Sequence, residues 1–499
     1  MEEIFARPLF TSLGLLDVLV VGLSVAFLFL IAWLAGRRES DTRDYFVGKR
    51  SVPAVIACLS FVATEVSAVT IMAVPATAYS ENLQYLQFFI GSAAARIFVA
   101  FLFIPVFYKY DCTSIYEFLR HRFGRQTQYA GSIFFFITRL LASGVRLYAA
   151  CLAISLIMDW TLAQTLLLFT IVSILMIGFG GIKAVVWAGA YEALVFILAG
   201  LSVLFYIYWH IDGGIAEVWR IAGEHGRLSL FNFRLDFSDP TTFWAGTINA
   251  FFLGLAVFGA DQELVQRLLT VETRRSSQKA IIGTIAASLP ILLIYILIGT
   301  LLFVFYAQNP TISVPQESKE ILSHFITNVL PFGLKGLILA AIILASIDSP
   351  LSSLASSFIT DIYRPLINRR ATERHYLIAS RITVVLFGII LALIAFACQP
   401  VKNILWFAFQ IVGITGGPVL GIFLLGILTN ARCNRTNITA MVLAAVYMAA
   451  LLVYGKLGWV SIGWSWLIVI GTLITFTLAW LLALASNRGN RPEPTLPGN

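Results

Sequence analysis

ASIDSPLSSLASSFITD, Ala345 to Asp361, sits inside an otherwise apolar run, and its polar residues are not scattered. Wound as a helix at about 100° per residue, Ser346, Asp348, Ser349, Ser352, Ser353, Ser356, Ser357 and Thr360 share roughly half of the circumference. Ile347, Pro350, Leu351, Leu354, Ala355 and Phe358 take the other half. A hydroxyl face with a carboxylate at membrane depth must look into protein or water rather than lipid. Hard oxygens on a rigid helix replace the hydration shell of a small cation. Pro350 has no N–H to give the carbonyl of Ser346, four residues back, so that carbonyl becomes a further candidate ligand. The plainer reading is that small residues let two helices pack closely.

Composition places the helix in a bilayer. The 499 residues are 59% hydrophobic and only 12% charged, about half the charged share of a soluble domain. Thirteen apolar runs can each span about 30 Å of hydrocarbon, centred near residues 25, 65, 95, 141, 172, 197, 256, 293, 345, 387, 415, 446 and 474. The first run lacks a cleavage-site pattern and reads as a retained helix. The fold class expected is therefore an all-α polytopic membrane protein. The longest loops, 210–243 and 307–335, have room for short interfacial helices but not for a catalytic domain, so an enzyme is not expected.

The net charge of +8 follows the membrane rather than a polyanion. Basic residues crowd alternate loops: 37–52, 107–127, 180–186, 267–280, 362–378 and 429–437. The positive-inside rule then puts these loops in the cytoplasm, with the N-terminus outside and the C-terminus inside a plasma membrane. No nucleic-acid partner and no obligate protein partner are expected. The five cysteines and five histidines are too dispersed for a disulfide framework or a zinc site.

A second polar span is SFVATEVSAVTIMAVPATAY, with Thr64, Glu65, Ser67 and Thr70 near its middle and Pro75 beyond them. Paired polar or broken spans mark a transporter site at the membrane midplane. With these segments the chain resembles the sodium/solute symporter family, which includes sodium-coupled sugar, proline and sialic acid transporters. The resemblance rests on DYFVGKRSVP (Asp44–Pro53), FVATEVSAVT (Phe61–Thr70), TSIYEFLRHRFG (Thr113–Gly124), GGIKAVVW (Gly180–Trp187), ADQELVQRLLT (Ala260–Thr270) and ASIDSPLSSLASSFITDIY (Ala345–Tyr363).

The resemblance implies a leucine-transporter-type fold of two inverted five-helix repeats, with one extra helix before them and two after. The divisions expected are 1–52, 53–210, 211–428, 429–487 and a tail at 488–499. It implies symport by alternating access, with Na+ as coupling ion and no other cofactor. The sodium site carried across consists of the carbonyls of Ala63, Val66 and Ile342 and the hydroxyl of Ser346. Ala345 stands where relatives often have a second hydroxyl. Relatives with a second sodium carry an Asp at the position of Gly189, which leaves Asp348, with Ser349, as the candidate anionic ligand of a relocated cation or proton site. The alternative for Asp348 is a salt bridge to a nearby Arg.

Four ionisable residues have open roles. Glu65 is either a proton or cation carrier or the counter-ion of Arg139 or Arg146. Arg139 and Arg146 are seven apart on one helical face, suited to gripping a carboxylate or to pairing with Glu65 or Glu192. Arg146 is the preferred substrate contact, which points to an organic anion such as a sialic or sugar acid. The remaining solute-site candidates are Ser67, Thr70, Tyr85, Gln87, Phe258, Gln262, Phe409 and Gln410. Asp261 and Gln262 also have a structural reading, organising the inner end of their helix. The function expected is cation-coupled symport of a small polar solute. Proton coupling, solute exchange and a non-transporting solute sensor are the alternatives.

Overall fold

The computed structural model describes residues 13–36, 42–179, 181–347, 350–401, 403–431 and 434–489. Among them, nine helices are long and apolar enough to cross a bilayer, and eleven if each of two bent pairs is one span. Two shorter apolar helices, over 162–175 and 334–345, stand at the two remaining positions of the thirteen expected.

In chain order, α1 (Leu15–Gly36) precedes a broken span made of α2 (Ala54–Glu65) and α3 (Ala68–Ser80). There follow α4 (Gln87–Phe98), the short α5 (Tyr116–Arg122), α6 (Arg125–Met158), α7 (Leu162–Phe179) and α8 (Ile182–Trp209). A second broken span is α9 (Phe243–Gly259) with α10 (Gln262–Leu269), and α11 (Arg274–Gln308) comes next. The serine-rich span is α12 (Leu334–Ile347), then α13 (Leu351–Ser357), continuing in π-helical turns over Phe358–Ile367. The chain closes with α14 (Glu373–Ala397), α15 (Ile404–Leu428), α16 (Arg435–Lys456) and α17 (Leu467–Gly489).

The two bends measure 53° between α2 and α3 and 57° between α9 and α10. In the serine-rich span, α12 ends at Ile347 and α13 begins at Leu351 after Pro350, and residues 348 and 349 lie outside the described residues. The bend that answers α2/α3, however, lies at Ala260–Asp261, a position read from sequence as ordinary helix end. Asp261 explains it: its carboxylate accepts from the Glu263 N–H at 2.9 Å and caps a new helix in mid-span.

Packing arranges the spans around these breaks. α2 lies on α8, α3 on α11, α4 on α9, α6 on α14 and α15 on α17. The α4–α9 contact is close because Gly91 has no side chain: a Cβ there would lie 1.9 Å from the Thr247 carbonyl oxygen. α1 is largely exposed, with Leu15, Leu19, Leu23, Phe27, Leu30 and Trp33 facing outward, as a bilayer-facing helix requires. It is held by one buried carboxylate. Asp17 accepts from Gly14 N at 2.9 Å, and its other oxygen takes the N–H groups of Gly333 and Gly336, at 2.7 and 2.8 Å. That caps the first turn of α12, whose unpaired N–H groups and dipole favour an anion.

Gly91→Ala should therefore lower the thermal midpoint of the purified protein, with overpacking costing about 1–3 kcal/mol. Gly22→Ala on α1, where no atom lies within 4 Å of the added carbon, should leave it unchanged.

Candidate functional site

The break in the first broken span exposes backbone. Val66 leaves the helix at φ −80°, ψ 69°, and helix resumes at Ala68. The last carbonyls of α2 then lack a following turn of donors. Two cavities meet at this break.

The larger cavity, of about 220 Å³, reaches both broken spans. Val66, Ser67 and Thr70 line it from the first, and Phe258 and Asp261 from the second. Tyr85, Phe88 and Phe409 supply an aromatic wall with Trp406 behind them, ring centroids 5.6 to 6.4 Å apart. Such a wall offers faces for an apolar or ring-shaped part of a solute. Polar contacts come from Ser92, Thr138 and Ser288 and from Glu65, Arg139 and Arg146.

The ionisable residues form two separate groups. Glu65 pairs with Arg96 of α4, and its other oxygen accepts from Ser288 of α11 at 2.9 Å. Arg96 is fully buried and also donates to Thr284 and Ser92, at 3.0 and 2.6 Å. The counter-ion expected for Glu65, Arg139 or Arg146, is thus replaced by Arg96. Arg139 instead pairs with Asp261 and Glu263 at the second break, and with neither Glu65 nor Glu192. Arg146, one face-repeat further along α6, lies 3.6 Å from the Glu263 carboxylate with 23% of its side chain exposed. That spacing is well beyond a charge-assisted hydrogen bond of about 2.7–2.9 Å. Its guanidinium lines both cavities.

The smaller cavity, of about 30 Å³, is the size of one water or one small ion. Ala63 and Thr64 border it from α2, Ala345 and Pro350 from the serine-rich span, and Ser143, Thr170 and Ser173 from α6 and α7. The hydroxyl oxygens of Ser143 and Thr170 are buried with no hydrogen-bond partner among the described residues. Ile342 is fully buried on α12, three residues before Ala345. The Ser346 side chain, Asp348 and Ser349 lie outside the described residues.

Several expected solute contacts lie elsewhere. Gln87 is fully buried, donates to the Thr241 carbonyl and accepts from Asn232 N at 3.3 Å, so it pins the outer loop. Gln262 is also buried; it accepts from Ile115 N at 2.9 Å and donates to the Thr113 carbonyl at 3.1 Å, tying α10 to the turn before α5. Gln410, on α15, is half-buried and does not line either cavity. Glu192 is buried on α8 and lines neither. Conversely, Asp261 faces the larger cavity although it reads in sequence as an organiser of the helix end. Arg96 carried a usable signal, because a lone Arg in the apolar run ARIFVAF must find a carboxylate.

Breaking one member of the Glu65–Arg96 pair strands a buried charge. Glu65→Gln strands the fully buried Arg96 guanidinium and should destabilise the protein by about 3–5 kcal/mol, and adding Arg96→Gln should restore most of the loss. Thermal unfolding of the two single variants and the double variant checks this.

The chain is similar to known transporters over nearly its whole length. The sodium/sialic acid symporter NanT of Aliivibrio fischeri is 28% identical over 483 residues, covering 95% of this chain and 94% of that protein. A solved Na+-coupled sialic acid symporter in a substrate-bound outward-open state superposes with a TM-score of 0.85 at 26% identity, covering 95% of this chain and 98% of that one. Mhp1, a nucleobase-cation-symport-1 family transporter, shares the fold with a TM-score of 0.50 at 14% identity, over 90% of this chain and 95% of its own. The architecture is thus the leucine-transporter type. A model of the sodium:solute symporter family matches residues 45–444, and the chain belongs to that family.

Proposed function

We propose that this chain is a Na+-coupled symporter that carries a small organic carboxylate, a sialic or sugar acid, by alternating access. The observation carrying this reading is that one cavity touches both broken spans and the Arg146 guanidinium, while an ion-sized cavity lies beside it at Ala63 and Ala345. Basic loops at one end of the helices support a plasma-membrane topology with the N-terminus outside and the C-terminus in the cytoplasm.

In this reading Na+ sits against the carbonyls of Ala63, Val66 and Ile342 and the Ser346 hydroxyl. It ties the break in α2/α3 to α12. The same break presents Ser67 and Thr70 to the larger cavity, so the ion orders the solute contacts. By linkage, each ligand then strengthens the other. Arg146 takes the solute carboxylate in a bidentate grip, for which its planar fork is suited. The aromatic wall of Tyr85, Phe88 and Phe409 covers the rest of the solute. Arg139, paired with Asp261 and Glu263, holds α6 to the second break. Glu65 is neutralised by Arg96, which argues against proton coupling through Glu65.

Replacing KCl by NaCl at fixed ionic strength should raise the thermal midpoint saturably, since a ligand at 100 times its Kd adds about 2.7 kcal/mol. N-acetylneuraminic acid should raise it further in NaCl and far less in KCl. Arg146→Gln should keep the sodium response and weaken the response to the acid by about ten-fold or more, a loss of at least ~1.4 kcal/mol. Equal behaviour in the two salts would retire sodium coupling.

A further inference from the structure

One carboxylate in the serine-rich span takes no part in the site above. Asp361, in the π-helical turns that follow α13, is fully buried. Its partners are all neutral. One oxygen accepts from Ser114 Oγ at 2.8 Å and Ser132 Oγ at 3.0 Å, and the other from Gln128 Nε2 at 2.9 Å. No basic side chain of the described residues pairs with it. A second carboxylate stands close by: Glu117 accepts from the backbone N–H of the same Ser114, at 3.3 Å, and from that of Thr113, at 2.7 Å. Negative charge therefore accumulates in a place from which water is excluded.

Three neutral donors satisfy hydrogen bonds but supply no charge. An ionised carboxylate held this way costs several kcal/mol inside a membrane protein. A purely structural clasp on Ser114, Gln128 and Ser132 needs only a neutral amide or acid there, whereas an ionised Asp361 calls for a positive charge. An independent sign comes from Ser357. It is fully buried, its hydroxyl has no partner among the described residues, and it precedes Asp361 by one turn on the same helical face. An orphaned buried hydroxyl is itself costly, by about 1–3 kcal/mol, unless a ligand completes it.

We propose that Asp361, with the hydroxyls of Ser114, Ser132 and Ser357, forms a second site for the coupling cation, Na+, at the basic-loop end of the serine-rich span. The donor set is all hard oxygen, with one full negative charge, as a dehydrated alkali cation requires. Hydroxyls that now donate to the carboxylate turn their lone pairs to the ion when it enters. The site lies roughly 20 Å along the chain from Ser346, at about 1.5 Å per residue, so it is distinct from the site at the helix breaks. It gives an ion leaving that site a place to stop before the cytoplasm. The inference rests on the Na+ coupling proposed above.

The test is equilibrium binding of radioactive Na+ to the purified full-length protein in nanodiscs, without solute. Wild type should saturate at one Na+ per chain more than Asp361→Asn. Ser357→Ala separates a binding role from a structural one. As a ligand, its loss weakens the second Na+ component about ten-fold or more. As mere packing, loss of an orphaned hydroxyl leaves Na+ binding untouched and the thermal midpoint in KCl equal or higher. Equal Na+ counts and affinities in wild type and both variants would overturn the site while leaving sodium coupling in place. No Na+ binding by wild type would overturn the coupling and this site together. If Asp361→Asn does not fold, Ser357→Ala decides alone.

Discussion

Inside a bilayer, a backbone group that leaves a helix must find another partner, and this constraint shapes the whole molecule. A continuous helix satisfies its own N–H and C=O groups. Here the chain gives up that satisfaction at Val66 and again at Ala260–Asp261. The freed groups are affordable only because each break is buried among other helices and faces a cavity. The Asp261 carboxylate supplies an acceptor for a freed N–H at the second break, while Ala63 and Thr64 at the first border a space of about 30 Å³. Both breaks then contribute polar surface to the larger cavity. The surrounding spans, from α1 to α17, hold the breaks apart from lipid.

Charge is managed by local neutrality. Arg139 and Arg146 face Asp261 and Glu263 across the second break, with the buried Arg267 also beside Glu263. Glu65 and Arg96 cancel across the first. Neutral groups of this kind tolerate the low dielectric better than isolated ions. They leave two guanidinium groups at the larger cavity: Arg139, paired with Asp261 and Glu263, and Arg146, 3.6 Å from Glu263 and bordering both cavities. Asp361 departs from this pattern, a buried carboxylate with neutral partners, as does Asp17, whose partners are the N–H groups at the start of α12.

Much of the architecture was legible in the chain because hydrocarbon thickness sets span length and charged loops set their ends. The polar break of α2/α3 could also be read, since clustered hydroxyls and a carboxylate at membrane depth must face protein or water. The break at Asp261 escaped because no proline or glycine run announces it; the signal was an Asp followed by Glu263 at the start of a polar helix in mid-span. Ser67, Thr70, Tyr85, Phe258 and Arg146 do line the cavity. Gln87 and Gln262 do not, because each spends its amide on loop backbone, which only tertiary contact reveals. The same holds for Glu65: three arginines in two different spans were available, and the sequence alone does not say which of them faces it.

The central claim, that filling the site at the helix breaks with Na+ drives solute movement, is tested most directly in proteoliposomes holding only the purified protein. Labelled N-acetylneuraminic acid is supplied outside under an inward Na+ gradient at constant pH. The account predicts accumulation above the equilibrium level, abolished when K+ replaces Na+ and when an ionophore dissipates the gradient. Accumulation that is equal in K+, or that follows a proton gradient instead, would contradict it.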